Sequence, residues 1–382
     1  MVNAGETMTH RRLPPLDGTL LYTVLILLVF GLVMVYSASA FVSVHRAGYS
    51  AYYFLHDGVN VALSVIALFV TVLVPMTFWR QISPYLLMGG LGALAMVLIP
   101  HVGVRVNGSA RWLSFGFMNV QPSEFLKLFL VLYLAGYLVR RQDRLSEFTH
   151  GILTVATLLM VIGVLLLLEP DMGSEVILWA VAFGMLFVGG VRLSHFLLVL
   201  LSGVAAGVVL TVVSRYRERR IIGFLHPFAQ AKGDGYQLVQ SLMAFGRGGW
   251  SGRGLGLGIQ KLYYLPAAHT DFLFAVVGEE FGLVGVVAVI ALFALLTLRA
   301  FQIAAAARRL GDLYSCYVAQ GVAILITLEA IINMGVDMGV LPTKGLGLPL
   351  VSYGGSSTLM SCMAMGLLLR IDRETRAQGA SR

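Results

Sequence analysis

The run LLYTVLILLVFGLVMVYSASAFV, residues 20–42, contains no charged side chain. About 20 consecutive apolar residues in an α-helix are long enough to cross the hydrocarbon core of a bilayer. Residues 37–40 resemble a signal-peptide cleavage site, but the apolar core of such a signal is only about 7–15 residues long. The run therefore predicts a membrane-spanning helix at the start of the chain.

Similar apolar runs recur along the whole chain. Of 382 residues, 58% are hydrophobic and 12% are charged, whereas a soluble domain carries about 25% charged residues. Lipid offers the backbone no hydrogen-bond partners, so only helices or a closed barrel can span it, and long runs without alternation exclude the barrel. We expect an all-α polytopic membrane protein with about ten spans, at residues 20–42, 54–75, 82–101, 119–139, 151–168, 174–190, 193–213, 271–297, 313–335 and 349–370.

The distribution of basic residues predicts the orientation of these spans. Short loops on the cytoplasmic side of a membrane are rich in Lys and Arg. Outside residues 214–270, most basic residues fall on the side of the N-terminus. This predicts a cytoplasmic segment at 1–19, one transmembrane domain at 20–370, a cytoplasmic tail at 371–382 and an outward-facing loop at 214–270. The net charge of +8 then mainly reflects topology, and we expect no nucleic-acid partner.

Cysteine and histidine patterns indicate neither a disulfide framework nor a metal site. Cys316 and Cys362 both lie inside apolar runs, so they predict no disulfide framework. The histidines are separated by long intervals, and none belongs to an HExxH motif.

The outward loop mixes basic, aromatic and aliphatic side chains, a composition typical of interfacial helices on a membrane surface. Arg215 and Arg217 are candidates for contact with lipid headgroups, or with a diphosphate through their forked donors. The tract GRGGWSGRGLGLG, residues 246–258, follows no βαβ pattern, which excludes a dinucleotide fold. Two interpretations of this tract stay open: a flexible loop whose N–H groups contact phosphate, or a plain connector.

Carboxylates inside a membrane are costly and mark candidate functional sites. The predicted topology places most of them at the outer ends of their spans and leaves the inner halves empty, with Glu279 and Glu280 lying deeper in span eight. A pump needs a relay through both halves, so this pattern predicts a polar cavity open to the outside. The outer acids are Asp57, Glu124, Glu169, Asp171, Glu175, Asp271, Glu329 and Asp337.

Several of these acids also have structural interpretations. Glu124 and Lys127 are three residues apart and can pair on one helix face, and Pro122 suits the first turn of that helix. Asp171 is expected to cap span six or to pair with an arginine. Glu329 and Asp337 are each candidates for a buried partner of Lys344 or Arg111.

Asp271 stands at the boundary between the long loop and span eight. Thr270 and Asp271 are both good N-cap residues, and an acid is favoured at the positive end of a helix dipole. A general base must be reachable by its substrate, and the membrane boundary allows this for an amphiphile. The residue chemistry leaves both roles open.

Long ordered motifs resemble those of the SEDS family. They are RWLSFG, QPSEFLK, EPDMGS, YQLVQSLMAFGRGG, YYLPAAHTDFLFAVVGEEFG and LPTKGLGLPLVSYGGSS, and together they extend over residues 20–375. The lysine in LPTKG and the SLMAFGRG wording are more similar to the cell-division branch of the family than to its elongation branch.

The resemblance implies a peptidoglycan glycosyltransferase that joins lipid II units outside the cytoplasmic membrane at the division septum. Its implied partners are a class B penicillin-binding protein, which supplies the transpeptidase, and other membrane proteins of the division machinery. The family's catalytic aspartate matches Asp271, and Ala267 stands where the family usually has an acid. Further polar positions of the family match Arg111, Glu124, Lys127, Asp171 and Lys344.

The implied reaction begins when Asp271 takes the proton of the acceptor hydroxyl. Arg111, Lys344, Arg215 and Arg217 are candidates for stabilising the leaving diphosphate, the kind of fixed electrostatic help that favours such transfers. A divalent cation, Mg²⁺ or Mn²⁺, is a further candidate, although the sequence shows no dedicated metal cage. Two alternatives stay open: a lipid II flippase, which needs polar groups on both sides of the midplane, and a non-catalytic scaffold.

Overall fold

The chain folds into a bundle of long helices joined by short connections. The computed structural model describes residues 14–106, 109–114, 116, 119–213, 219 and 222–380. Its helices are α1 (Gly18–Ala47), α2 (Tyr52–Leu73), α3 (Met76–Val97), α4 (Pro122–Arg140), α5 (Thr154–Leu168), α6 (Met172–Val188), α7 (Leu193–Val213), α8 (Tyr236–Gly248), α9 (Leu273–Arg309), α10 (Leu313–Asp337) and α11 (Gly355–Gly379).

Each of the ten predicted spans corresponds to one of these helices. Among the described residues, six helical stretches are long and apolar enough to cross a membrane: α1, α2, α4, Thr149–Leu168, α9 and α10. The predicted helical, multi-pass membrane fold is therefore confirmed. The count of ten spans and the cytoplasmic position of both termini stay predictions.

Several helix boundaries differ from the predicted spans, and two of these differences, in α9 and α11, have clear physical reasons. Helix α9 continues to Arg309 because its last turns are rich in alanine, the best helix former. Helix α11 begins only at Gly355. The preceding apolar residues include Leu348, Leu350 and Val351, which are buried in a loop rather than a helix. Because these loop residues are as hydrophobic as those of a membrane helix, the predicted span began too early.

A small β-sheet between α3 and α4 corrects the all-α prediction. Its antiparallel strands are β1 (Gly103–Val106), β2 (Ser109–Ser114) and β3 (Asn119–Val120), in the order β1-β2-β3. Leu113 is paired with Gly103 on one side and with Val120 on the other. These strands are too short to leave a clear alternating pattern in the sequence. The sheet matters for the site because β2 carries Arg111.

The core is formed where α4, α9, α10 and α11 pack together, with α2 lying along α11 and α10 along α9. Gly366 lets α2 approach α11 closely, since a Cβ added there would lie 2.6 Å from the carbonyl oxygen of Leu68 and 2.8 Å from the Cβ of Thr71. Small residues at helix contacts are typical of packing in membranes.

Helix α8 confirms the helix predicted within the long outward loop. Its buried side chains, Leu238, Val239 and Ala244, pack against the bundle, where α8 contacts α9 and α10. Ser241 Oγ donates to the carbonyl oxygen of Asp337 at 2.7 Å. Protein therefore covers the buried face of α8, and the position of this helix at the membrane surface stays a prediction. The other predicted surface helix lies largely outside the described residues.

Candidate active site

Asp271 lies in a tight turn just before α9 and is partly exposed. The carbonyl oxygen of Ala267 organises this turn: it accepts the backbone N–H of Thr270 at 3.1 Å, the Thr270 hydroxyl at 3.2 Å and the N–H of Phe272 at 3.3 Å. Ala267 adopts the left-handed conformation, with φ of 55°. The loop geometry thus fixes the backbone on both sides of Asp271.

The prediction that Thr270 or Asp271 caps span eight was wrong. The N-cap residue of α9 is Phe272, and no side chain of its own caps the helix. The fully buried carboxylate of Asp337, on α10, instead accepts the N–H of Ala275 at 3.1 Å. An acid from a neighbouring helix therefore complements the positive end of the α9 dipole.

The segments of Asp271 and Lys344 are brought together near the C-terminal end of α10. A Cβ added to Gly345 would lie 3.3 Å from Asp271 Oδ2, so this carboxylate packs directly beside the backbone that follows Lys344. Lys344 is itself partly exposed. The structure therefore places the Asp271 carboxylate beside the segment that carries Lys344, a cation predicted for the site.

His269 and two tyrosines form an aromatic wall close to this turn. The ring of His269 lies 4.8 Å from that of Tyr53 and 5.7 Å from that of Tyr353, and the N–H of Tyr353 donates to the His269 carbonyl at 3.1 Å. Burial, reinforced by the charge of Arg46, lowers the pKa of His269 to about 4. This imidazole is therefore neutral at pH 7.

Arg111 reaches from β2 to the connection between α5 and α6. Its Nε donates to the carbonyl oxygen of Glu169 at 3.3 Å, and Nη2 donates to that of Pro170. Its Nη1 lies 4.0 Å from Asp171 Oδ1. The Arg111 guanidinium therefore mainly binds the protein's own backbone.

Asp171 caps α6 and pairs with an arginine, and both roles were predicted from the sequence. Its carboxylate accepts the Ser174 N–H at 3.4 Å and hydroxyl at 2.8 Å, the Ser123 hydroxyl at 3.1 Å and the Gln121 amide at 3.2 Å. With so many donors around it, Asp171 joins α4 to α6 structurally.

Glu169 is buried in the same connection, outside both helices. Its two carboxylate oxygens have no hydrogen-bond partner among the described residues. Burial, reinforced by the charge of Asp171, raises the pKa of Glu169 to about 8. The folded protein therefore favours the protonated form of this acid at neutral pH.

Glu124 and Lys127 form the pair that their spacing predicts, inside the bundle. Lys127 Nζ lies 2.9 Å from both carboxylate oxygens of Glu124 and also pairs with Glu329 of α10. Lys127 is only 2% exposed. Glu329 thus has Lys127 as its partner, rather than either partner considered from the sequence. The geometry shows a buried ion cluster linking α4 to α10, and a substrate-binding role for Glu124 and Lys127 stays a prediction.

The glycine-rich tract folds against a break in α9. Gly282 interrupts this helix with φ of 63° and ψ of −156°. The N–H of Gly256 donates to Glu280 at 3.0 Å, and those of Ile259 and Gln260 donate to Glu279 at 3.0 and 3.1 Å. These N–H groups therefore bind the protein's own carboxylates, so the tract is more than a plain connector. Contact between its other N–H groups and phosphate stays a prediction.

Lys261 completes this cluster, although the sequence patterns did not indicate it. Its Nζ donates to Glu280 at 2.6 Å and to the Ser37 hydroxyl at 2.8 Å, and Ser37 donates to Glu280 at 2.8 Å. A signal was available, since paired acids deep in an apolar span need a basic partner.

The remaining predictions for the site are untested. Arg215 and Arg217 lie outside the described residues. Within the described part of the chain, no three His, Cys, Asp or Glu side chains come together as a metal site. A divalent cation held partly by substrate phosphates stays a prediction.

Comparison with known proteins settles the family. The model of the FtsW, RodA and SpoVE family, described as "Cell cycle protein", matches residues 18–377. The chain belongs to this family. Its similarity to FtsW is strong: a "Probable peptidoglycan glycosyltransferase FtsW" of Nitrosococcus halophilus is 48% identical over 95% of this chain and 94% of its own length. A protein of the same description from Methylomonas methanica is 47% identical over 94% and 92%.

Solved structures of the FtsW and RodA family share the fold. A chain of a peptidoglycan synthase complex, described as coordinating polymerization and crosslinking, superposes with a TM-score of 0.76 at 28% identity, over 94% of this chain and 98% of its own. The rod shape determining protein RodA of Thermus thermophilus gives a TM-score of 0.68 at 26% identity, over 94% and 97%.

Proposed function

We propose that this chain is a peptidoglycan glycosyltransferase that polymerises lipid II at the outer face of the cytoplasmic membrane, with Asp271 as its general base. The glycosyltransferase activity is supported by family membership and by high identity to proteins described as peptidoglycan glycosyltransferases. The geometry around Asp271 and Lys344 supports the assignment of roles.

The reaction is a single displacement. Asp271 takes the proton of a sugar hydroxyl on the acceptor, and the resulting oxygen attacks the anomeric carbon of the donor glycan. The bond from that carbon to the diphosphate oxygen breaks, its electrons leave with undecaprenyl diphosphate, and the configuration inverts. A positioned general base contributes about 10²–10⁴-fold to such a step.

The observation that carries the choice of base is the contrast in exposure among neighbouring acids. Asp337 and Asp171 are buried and accept several hydrogen bonds or cap helices, and Glu124 is buried against Lys127. Asp271 is partly exposed and lies beside the Lys344 segment. A substrate hydroxyl can approach an acid in this position.

Lys344 is the better-placed candidate for the departing diphosphate. Its ammonium is a compact charge on a flexible stem, and its segment packs against the Asp271 carboxylate. Arg111 uses two of its donors on the backbone of Glu169 and Pro170, so we assign it a supporting role in shaping the outer surface.

The partner of this polymerase is a class B penicillin-binding protein that crosslinks the new strands at the division septum. Support comes from the similar chain of a peptidoglycan synthase complex that joins polymerization to crosslinking, and from relatives described as FtsW. Other division membrane proteins are further proposed partners.

The test is Asp271→Asn, purified with its transpeptidase partner and supplied with lipid II. We expect polymer formation to fall about 10²–10⁴-fold while the thermal unfolding midpoint stays unchanged. Asp312→Asn is a matched control, because Asp312 only caps α10 and asparagine caps helices equally well. Polymer formation by Asp271→Asn at the wild-type rate would refute the base assignment.

A further inference from the structure

Helix α10 presents three polar side chains in a row toward the site: Glu329, Asn333 and Asp337. Residues four apart lie on the same face of a helix, and all three are buried. Glu329 pairs with Lys127, and Asp337 accepts the N–H of Ala275. Asn333, between them, has no part in the proposed reaction, yet it is only 1% exposed.

The amide of Asn333 joins two separate segments of backbone. Its Nδ2 donates to the carbonyl oxygen of Asp271 at 2.8 Å and to that of Leu346 at 2.6 Å. Carbonyl oxygens only accept hydrogen bonds, so these partners require the NH₂ side of the amide to face them. The Asn333 Oδ1 atom on the other side is buried and has no hydrogen-bond partner among the residues that the structure describes. The amide is therefore held by its two donated bonds.

The two joined segments are the ones that carry the proposed reacting groups. One is the turn of Asp271, and the other contains Leu346, two residues after Lys344. Between them, Gly345 packs against the Asp271 carboxylate, with 3.3 Å from its ideal Cβ position to Oδ2. A single buried side chain thus donates hydrogen bonds to both segments.

We infer that Asn333 is a positioning residue that holds Asp271 and Lys344 at the separation the transfer needs. This inference rests on the proposed function, because it assigns Asn333 a role through those two groups rather than through contact with substrate. A displacement of about 1 Å in a catalytic geometry can lower a rate about 100-fold.

The first test replaces Asn333 with leucine, which has a similar shape and no donor. We expect kcat for lipid II polymerisation to fall about 100-fold, with KM within a few-fold of wild type because the substrate contacts remain. Asn333→Gln keeps the NH₂ donor on a longer stem and should recover part of the lost kcat. A wild-type kcat for Asn333→Leu, or a loss confined to KM, would overturn the inference.

Thr327→Val is the matched control for general loosening of the bundle. It removes the 2.7 Å hydrogen bond between the Thr297 and Thr327 hydroxyls, which joins the same two helices, α9 and α10. Thr327 lies about 9 Å along the helix from Asn333, so we expect an unchanged kcat. An equal loss of kcat in this control would also overturn the inference.

A second measurement does not depend on activity. Limited trypsin cleavage after Lys344, followed by mass spectrometry, reports how firmly this segment is held, and cleavage after the exposed Lys232 provides an internal reference. We expect Asn333→Leu, but not Thr327→Val, to accelerate cleavage after Lys344 relative to Lys232. Unchanged cleavage would refute the positioning role even if Asp271 is the base. Conversely, an active Asp271→Asn protein with faster cleavage in Asn333→Leu would refute only the proposed function.

Discussion

The part of α9 before its break at Gly282 has a carboxylate near each end. The surroundings of these two acids, Asp271 and Glu280, differ sharply. Asp271, just before the helix, is partly exposed beside the Lys344 segment. Glu280, nine residues later, is 1% exposed and accepts hydrogen bonds from Lys261, Ser37 and Gly256. A buried acid whose oxygens accept several hydrogen bonds holds the fold together, whereas an acid that substrate can reach is suited to take a proton.

The surroundings of Glu280 show how a broken membrane helix is stabilised. At the break, the N–H groups of Leu283 and Val284 donate to the carbonyls of Gly249 and Trp250. The glycine-rich tract thereby satisfies backbone groups that lipid cannot. Gly282 of α9 permits this approach, since a Cβ there would lie 2.7 Å from the backbone of Trp250.

The largest effect on stability is expected at the buried Glu280 cluster. Lys261→Met leaves the Glu280 carboxylate without its cation, and breaking a buried pair costs about 3–5 kcal/mol. We expect a clear drop in the thermal unfolding midpoint in detergent, whereas Lys232→Met, at an exposed lysine, leaves it unchanged. An unaltered midpoint in Lys261→Met would show that the cluster does not stabilise the fold.

A large effect on activity is expected near the partly exposed Asp271, at Lys344. Lys344→Met removes the positive charge that we propose stabilises the leaving diphosphate, and loss of one such stabilising group costs about 10²–10³ in kcat. The unfolding midpoint should not change, and Lys344→Arg, which keeps the charge, should retain more activity than Lys344→Met. Wild-type polymerisation by Lys344→Met would remove Lys344 from the mechanism.

A smaller, pH-dependent effect is expected at Glu169, a buried acid without a hydrogen-bond partner in the described structure. Its pKa is raised from 4.5 to about 8 in the folded protein. Between these pH values the folded state holds a proton that the unfolded chain releases, so stability falls as pH rises through this window. Glu169→Gln should weaken this fall between pH 5 and pH 8.

The exposed Asp143 provides the control for this pH series. Asp143→Asn should leave the dependence of the unfolding midpoint on pH as in the wild type. If Glu169→Gln and wild type lose stability in parallel from pH 5 to pH 8, the buried acid is not the cause.

Membrane helices were predictable because twenty apolar residues leave few alternatives. The Glu124–Lys127 pair and the Asp171 cap were predictable because both depend on local spacing.

Contacts between distant segments could not be predicted from the sequence. The Lys127–Glu329 pair, the capping of α9 by Asp337 and the bonds from Asn333 join residues whose proximity only the packing of α10 creates. The sheet around Arg111 was missed because its strands are short.

The most direct test compares Asp271→Asn with Lys261→Met, each purified with the transpeptidase partner, for both the unfolding midpoint and the polymerisation rate per folded molecule. We expect opposite outcomes for the two variants. In Asp271→Asn, the unfolding midpoint stays unchanged and the polymerisation rate falls about 10²–10⁴-fold. In Lys261→Met, the unfolding midpoint falls and most of the polymerisation rate is retained. A folded Asp271→Asn protein that polymerises lipid II at the wild-type rate would contradict the account.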